Sequence, residues 1–302
     1  MRDHIQHQPC VLVHGGAGAL MQDRDGCIAA AHGGLAVLRG GGEALAAVVA
    51  AVAMLEDDPR FNAGTGSALR MDGRTIEMDA GVMDSRGALG AVSCLQRVRN
   101  PVRVAQAVSR TPHWLLCGAG AQRFAHDIGA ADYDVATPRA QAQHEEMLEQ
   151  LRRGERLRPG SDNADYFDYW NFAAPSPARE DAPCDTVGAV ARDAAGHFAV
   201  AGSTGGATPS LLGRVGDTPI IGAGFYAGPF GAVAVTGIGE QIVRHLLAHR
   251  VYNWLAAGTP MAAALERAVA LFEPEIAIGV IALSREENGS LSNRAMPTAL
   301  AR

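Results

Sequence analysis

No lysine occurs among the 302 residues, so all 26 basic side chains are arginine. That absence removes the phosphate-binding lysine of a P-loop, a pyridoxal Schiff base, a Ser-Lys hydrolase and a lysine aldolase. Aromatic residues make up only 5% of the chain, whereas glycines number 36. Such a chain packs mainly through Ala, Val and Leu, with close layers and tight turns. The cysteines Cys10, Cys27, Cys94, Cys117 and Cys184 are odd in number and widely spaced, without a Cys-x-x-Cys pair. Neither a disulfide framework nor a zinc site is signalled, and a reducing cytoplasm is the expected compartment. The longest apolar run, Ala44 to Leu55, is far short of the roughly 20 residues of a membrane span. Met1 to Gln8 is polar and carries no targeting pattern. With a formal charge of −6, the chain lacks the positive field that nucleic acid or an anionic membrane surface demands. What is present, 48% hydrophobic and 19% charged residues, describes a folded protein with a large core and a single domain over 1–302.

Cys10 to His14 reads as a buried strand that stops at the cluster His14-Gly15-Gly16-Ala17-Gly18. Helices are expected over Asp25 to Leu38 and Glu43 to Leu55, the second almost without a polar face. Thr75 to Val98 reads as a hairpin, Pro101 opens a helix, and Trp114 to Ile128 is a further helix candidate. From about 139 to 185 the pattern changes to charged residues, then to Pro159, Pro175, Pro177 and Pro183, as in a mobile linker. Two antiparallel strands follow, Thr186 to Asp193 and His197 to Ser203, then a strand at Ala232 to Val235. Helices from Glu240 to about Ala257 and from Met261 to Phe272, and a last strand at Ile276 to Leu283, complete the chain. Runs of strands flanked by paired helices indicate stacked layers of an α+β fold, not alternating βαβ units.

Several chemical signatures are weak or missing. No Gly-x-Gly-x-x-Gly sits between a strand and a helix with an acidic residue about 20 positions on, so a dinucleotide site is not indicated. His245 and His249 are four apart on an expected helix, but lack the intervening glutamate of a zincin. There is no Gly-x-Ser-x-Gly elbow. What remains is a set of groups on loops that follow strands: Thr186, Thr204, Thr236, Arg214 and Asp217. Taken singly, each threonine reads as a strand or cap residue. Together they fit another logic, because a threonine whose α-amine is freed by chain cleavage carries nucleophile and base on one residue. That amine has an ordinary pKa of about 7.7 to 8.0, so part of it is neutral at pH 7.

The segment Cys184-Asp185-Thr186-Val187-Gly188-Ala189-Val190, with Ser203-Thr204-Gly205-Gly206, Gly213-Arg214-Val215-Gly216-Asp217 and Thr236-Gly237-Ile238-Gly239-Glu240, closely resembles the plant-type asparaginases, or isoaspartyl peptidases, of the N-terminal-nucleophile hydrolases. His14 to Gly18, Phe61 to Ser67, Asp79-Ala80 and Arg99-Asn100-Pro101 extend the likeness into the amino half, over roughly residues 10 to 283. The resemblance implies a four-layer αββα sandwich that cuts itself between Asp185 and Thr186, leaving an α chain of 1–185 and a β chain of 186–302. It implies hydrolysis of the side-chain amide of asparagine or of β-aspartyl dipeptides through an acyl-enzyme on Thr186. By the same likeness Arg214 holds the substrate α-carboxylate and Asp217 the α-ammonium, with Gly239 helping at the carboxylate. Thr236 and the Gly237 amide form the oxyanion hole, Thr204 orients the nucleophile, and Asn62 fixes its amine. The family also carries a sodium ion on backbone carbonyls, here those of Leu55, Glu56, Asp58, Phe61, Ala63 and Thr65. No redox or organic cofactor is expected, the partner is a small amino-acid or dipeptide substrate, and the assembly implied is a homodimer of αβ units.

The sequence departs from that pattern at several places. Asp185 stands where the asparaginase branch has glycine and resembles glycosylasparaginases and the threonine aspartase proteases, which also self-cleave. Ser210 replaces a lysine common in relatives, Ser85 a glycine, and Ala277-Ile278 a Gly-Gly pair. These departures bear on substrate preference. A glycosylasparaginase-like amidase and an unprocessed binding protein of the same fold are the alternatives.

Overall fold

The computed structural model describes residues 7–152 and 186–302. The chain runs through strand β1 (Cys10–His14), helices α1 (Arg24–Arg39) and α2 (Ala44–Asp57), the hairpin β2 (Met78–Asp84) and β3 (Leu89–Leu95), and helix α3 (Pro101–Val108). Strand β4 (Leu115–Cys117) and helices α4 (Gly118–Asp127) and α5 (Pro138–Arg152) follow. After the undescribed residues come β5 (Val187–Arg192), β6 (Phe198–Thr204), β7 (Phe225–Gly228) and β8 (Gly231–Gly237). Helices α6 (Gly239–His245), α7 (Leu247–Ala256) and α8 (Met261–Val269) and strands β9 (Ile278–Ser284), β10 (Asn288–Ser292) and β11 (Thr298–Ala301) end it.

The strands form a seven-stranded sheet, β11-β1-β5-β6-β2-β3-β4, and a four-stranded sheet, β10-β9-β8-β7. Because strand side chains alternate, two buried faces require apolar residues at every position. In β1, Val11 and Val13 join the core shared with α1 to α4, whereas Cys10 and Leu12 join the core between the sheets. In β8, Val233 and Val235 pack toward α6 to α8, while Ala232 and Ala234 face the seven-stranded sheet. The result is the four-layer αββα sandwich of the α+β class. Small residues permit the close sheet approach: a Cβ on Gly81 would lie 2.4 Å from the Phe225 ring across the interface.

The departures from the expected elements have local causes. Trp114 to Ile128 does not begin as helix, because Leu115–Cys117 adds a parallel edge strand to β3 with Leu115 opposite Ala91. The helix expected over Glu240 to Ala257 breaks at Leu246, which is left-handed at φ 45°. There the carbonyls of Ala223 and Gly222 take the amides of Ala248 and His249 at 3.1 and 2.9 Å, in place of helical partners. His245 and His249 therefore lie on separate helices, one edge-on to Phe272 and the other against Tyr226. The charged stretch from 139 begins within α5, whose Ala140 and Met147 are buried. The rest of the stretch read as a linker, 153–185, lies outside the described residues. Among the described residues no helix is long and apolar enough to cross a membrane.

Candidate active site

Thr186 is the first described residue after the gap and is buried, 6% exposed, at the head of β5. Since Val187, Ala189 and Ala191 point to the helical layer, alternation turns Thr186 and Gly188 toward the other sheet. The antiparallel register of Val187 with Ser203 brings the end of β6, and with it Thr204, alongside. The Thr204 hydroxyl accepts the Gly206 amide at 3.0 Å, which leaves its own proton to donate. Asn62 stands behind this corner. Its Nδ2 donates to the Gly206 carbonyl at 2.7 Å, its Oδ1 accepts from the Ala68 amide at 2.9 Å, and its carbonyl accepts from Gly205 at 2.9 Å. Gly205 is required here, as its Cβ would lie 2.5 Å from Asn62 Oδ1.

Thr236 reaches the same region from β8. Its fully buried hydroxyl accepts the Ala17 amide at 3.2 Å and likewise retains a proton to donate. Gly237 has φ +142°, and a Cβ there would lie 2.2 Å from the Ala277 carbonyl oxygen. Arg214 and Asp217 come from the loop between β6 and β7. The Arg214 fork grips Glu240 with both donors at 2.9 Å. Asp217 is 3% exposed, and its Oδ2 has no hydrogen-bond partner among the described residues. Burial pushes its carboxyl up to about 7, with the Arg214 charge opposing. Gly239 touches both groups: a Cβ would sit 2.9 Å from Arg214 Nη2 and from Asp217 Oδ1.

Thr186, Thr204, Arg214, Asp217 and Gly237 thus line one cleft, together with Gly206, Ala207, Gly216 and Thr218. Asn62, Thr236 and Gly239 adjoin that cleft without lining it: Asn62 bonds the lining Gly206, Thr236 directly precedes Gly237, and Gly239 packs against Arg214 and Asp217; Asp185 lies outside the described residues. Of the further lining residues, Gly206 and Gly216 lie within motifs that the sequence shows without giving them a role, and Ala207 and Thr218 adjoin Gly206 and Asp217. His14, which the sequence marks only as the end of a strand and the start of a glycine cluster, fills the space over Gly188, two residues from Thr186: a Cβ there would lie 2.4 Å from Nε2. Burial pushes His14 down to about 3, so it is neutral. Ser85 and Ser210, two of the departures, serve local backbone. The Ser85 hydroxyl accepts the Phe198 amide at 3.0 Å, and that of Ser210 donates to the Ala207 carbonyl.

The loop before Asn62 folds tightly on itself. Carbonyls of Leu55, Asp58, Phe61 and Ala63 each accept one amide, from Asp58, Phe61, Ala63 and Gly66, and keep a second lone pair. A Cβ on Gly64 would lie 2.4 Å from the Glu56 carbonyl oxygen, and one on Gly66 would lie 1.9 Å from that of Phe61. The Glu56 carboxyl is turned elsewhere, accepting the Val102 amide at 2.9 Å, and burial pushes it up to about 8. The Asp58 carboxylate in this turn is taken up by the Arg60 amide and guanidinium at 2.6 to 3.1 Å, which leaves neutral carbonyl oxygens, a donor set that fits a hard monovalent cation. Among the described residues no cluster of three or more His, Cys, Asp or Glu is placed to hold a metal.

Comparison with known proteins identifies the family. The family model described as Asparaginase matches residues 7–301. The isoaspartyl peptidase/L-asparaginase of Mus musculus is 40% identical over 257 residues, covering 82% of this chain and 73% of the mouse protein. The plant-type L-asparaginase of Pyrococcus furiosus is 38% identical over 291 residues, 92% of this chain and 90% of its own length. With the four-layer sandwich, the threonine-lined cleft and a match over nearly every residue, the chain belongs to the asparaginase family.

Proposed function

We propose that this protein is a self-processing threonine amidohydrolase that cleaves β-aspartyl dipeptides and the side-chain amide of L-asparagine. The observation that carries the reading is a single cleft holding the hydroxyls of Thr186 and Thr204, the guanidinium of Arg214, and a buried Asp217 carboxyl with an unpartnered oxygen. An ammonium is the ligand such a carboxyl lacks, and a planar fork beside it suits a carboxylate. The two read the α-centre of a free amino acid. The names of relatives support the same substrates.

In maturation the Thr186 hydroxyl adds to the Asp185 carbonyl carbon, the peptide C–N bond breaks, and the nitrogen takes the hydroxyl proton. Water then opens the ester, leaving a carboxylate on residue 185 and a free amine on Thr186. In turnover that amine removes the proton of its own hydroxyl as the oxygen attacks the substrate amide carbon. Thr204 donates its remaining proton to orient the nucleophile. Thr236 Oγ and the Gly237 amide donate to the developing oxyanion, a contribution of about 3 to 4 kcal/mol per donor in comparable sites. The leaving amine departs with the proton, and water hydrolyses the acyl ester to aspartate. Arg214 and Asp217, with Gly239 packed against both, hold the α-carboxylate and α-ammonium throughout. Carbonyls of Leu55, Glu56, Asp58, Phe61, Ala63 and Thr65 would hold a sodium ion, which supplies charge that stiffens the turn carrying Asn62.

The test is a comparison of three substrates on purified, self-processed protein: a β-aspartyl dipeptide, L-asparagine and an N-glycosylated asparagine. Aspartate release from the first two is expected. Turnover of the glycosylated substrate alone overturns the assignment in favour of a glycosylasparaginase-like amidase, and no turnover of any leaves a binding protein.

A further inference from the structure

Beneath the cleft lies a buried ion pair that the proposed chemistry leaves unused. Arg70, 1% exposed, donates from Nε to Glu77 Oε2 at 3.1 Å and from Nη2 to the Glu77 carbonyl at 3.2 Å. Both residues also reach the loop that carries the substrate-reading charges. Arg70 Nη2 donates to the Arg214 carbonyl at 3.2 Å, and Glu77 Oε2 accepts the Gly213 amide at 2.8 Å. Neighbouring Asp79, fully buried, lies 3.5 Å from the Gly216 amide. The opposite wall is touched as well. A Cβ on Gly206 would lie 2.7 Å from Arg70 Nη1, an atom that makes no hydrogen bond among the described residues.

The support for the pair is rigid. Arg70 opens a tight turn closed by its amide on the Thr75 carbonyl at 2.7 Å. The flanking Leu69, Ile76 and Met78 pack with Val135 and Ala140 in a small separate core. A planar fork fixed at its base therefore spans two cleft walls, the Gly206 corner and the Gly213–Arg214 turn. Lysine, a point donor, cannot bond the Glu77 carboxylate and the Arg214 carbonyl together as this fork does.

We propose that Arg70, with Glu77, is a positioning residue that sets the Arg214-to-Asp217 loop at the distance needed to read the substrate's α-carboxylate and α-ammonium. The inference rests on the amidohydrolase reading above. Its role belongs to binding: among the described residues the pair's side-chain hydrogen bonds go to the Gly213–Arg214 turn and none to Thr186, Thr204 or the oxyanion donors, so it governs KM and leaves kcat and self-cleavage intact.

Steady-state kinetics on a β-aspartyl dipeptide, with Arg70→Lys and Glu77→Gln beside wild type, test it. Arg70→Lys keeps the ion pair and so the fold; the expected result is a KM about tenfold higher with kcat within about twofold and full self-cleavage. Glu77→Gln, which keeps an acceptor for Gly213, is expected to raise KM in the same sense. An unchanged KM in both variants, or a fall in kcat at constant KM, overturns the proposal. So does a loss that tracks the folded fraction measured by thermal denaturation. Wild-type protein without turnover fails the amidohydrolase reading and the inference with it, whereas normal wild-type turnover with unaltered variants fails the inference alone.

Discussion

Asp217 sits where a carboxylate is hardest to charge, buried with one oxygen unpartnered, and its carboxyl is pushed up to about 7. Below that pH the empty cleft holds a neutral acid, which attracts no ammonium; above it the charge is present and ready. For the amino-acid substrate, KM is therefore expected to rise as pH falls through about 7, and Asp217→Asn to give a high KM that no longer responds in that range. A wild-type KM flat between pH 5 and 8 contradicts this role. Arg214 and Asp217 stand out in the sequence as opposite charges three apart on one loop, and the resemblance to the asparaginases is what assigns them the two charges of the substrate. Glu240 on Arg214 and Arg70 on the Arg214 carbonyl were not legible there, since these contacts join residues 26 and 144 positions apart. No local spacing encodes such a meeting.

Elements were legible where burial imposed a period and obscure where it did not. Strands β1, β5 and β6 are buried on both faces and read as continuous apolar runs. In contrast, β10 is half-exposed along its length and carries Asn, Gly and Ser, so it gave no strand signal. The break between α6 and α7 was hidden because the carbonyls that cause it come from residues 222 and 223. Between the sheets, glycine is set by space. Replacing Gly81 in β2 drives a methyl into the Phe225 ring, and Gly81→Ala is expected to lower stability by about 1–3 kcal/mol. Chemical denaturation reads this directly, and an unchanged midpoint would show that the interface has slack.

At the scale of the whole molecule, two sheets bring together pieces far apart in the chain: His14 from β1, Thr186 at the head of β5, Thr204 from β6 and Thr236 from β8. Grouped strands and paired helices point to stacked layers, and the αββα order comes from the resemblance of ordered motifs. The walls of the cleft are set by contacts between residues far apart in the chain. As proposed above, this scaffold builds its nucleophile by cutting the chain before Thr186. Intact mass and amino-terminal sequencing of purified protein, incubated at neutral pH beside Thr186→Ala, test it most directly. Two fragments are expected in the wild type, the smaller beginning at Thr186, and one whole chain in the variant. A wild-type chain that stays whole, or a variant that is cut at the same bond, contradicts it.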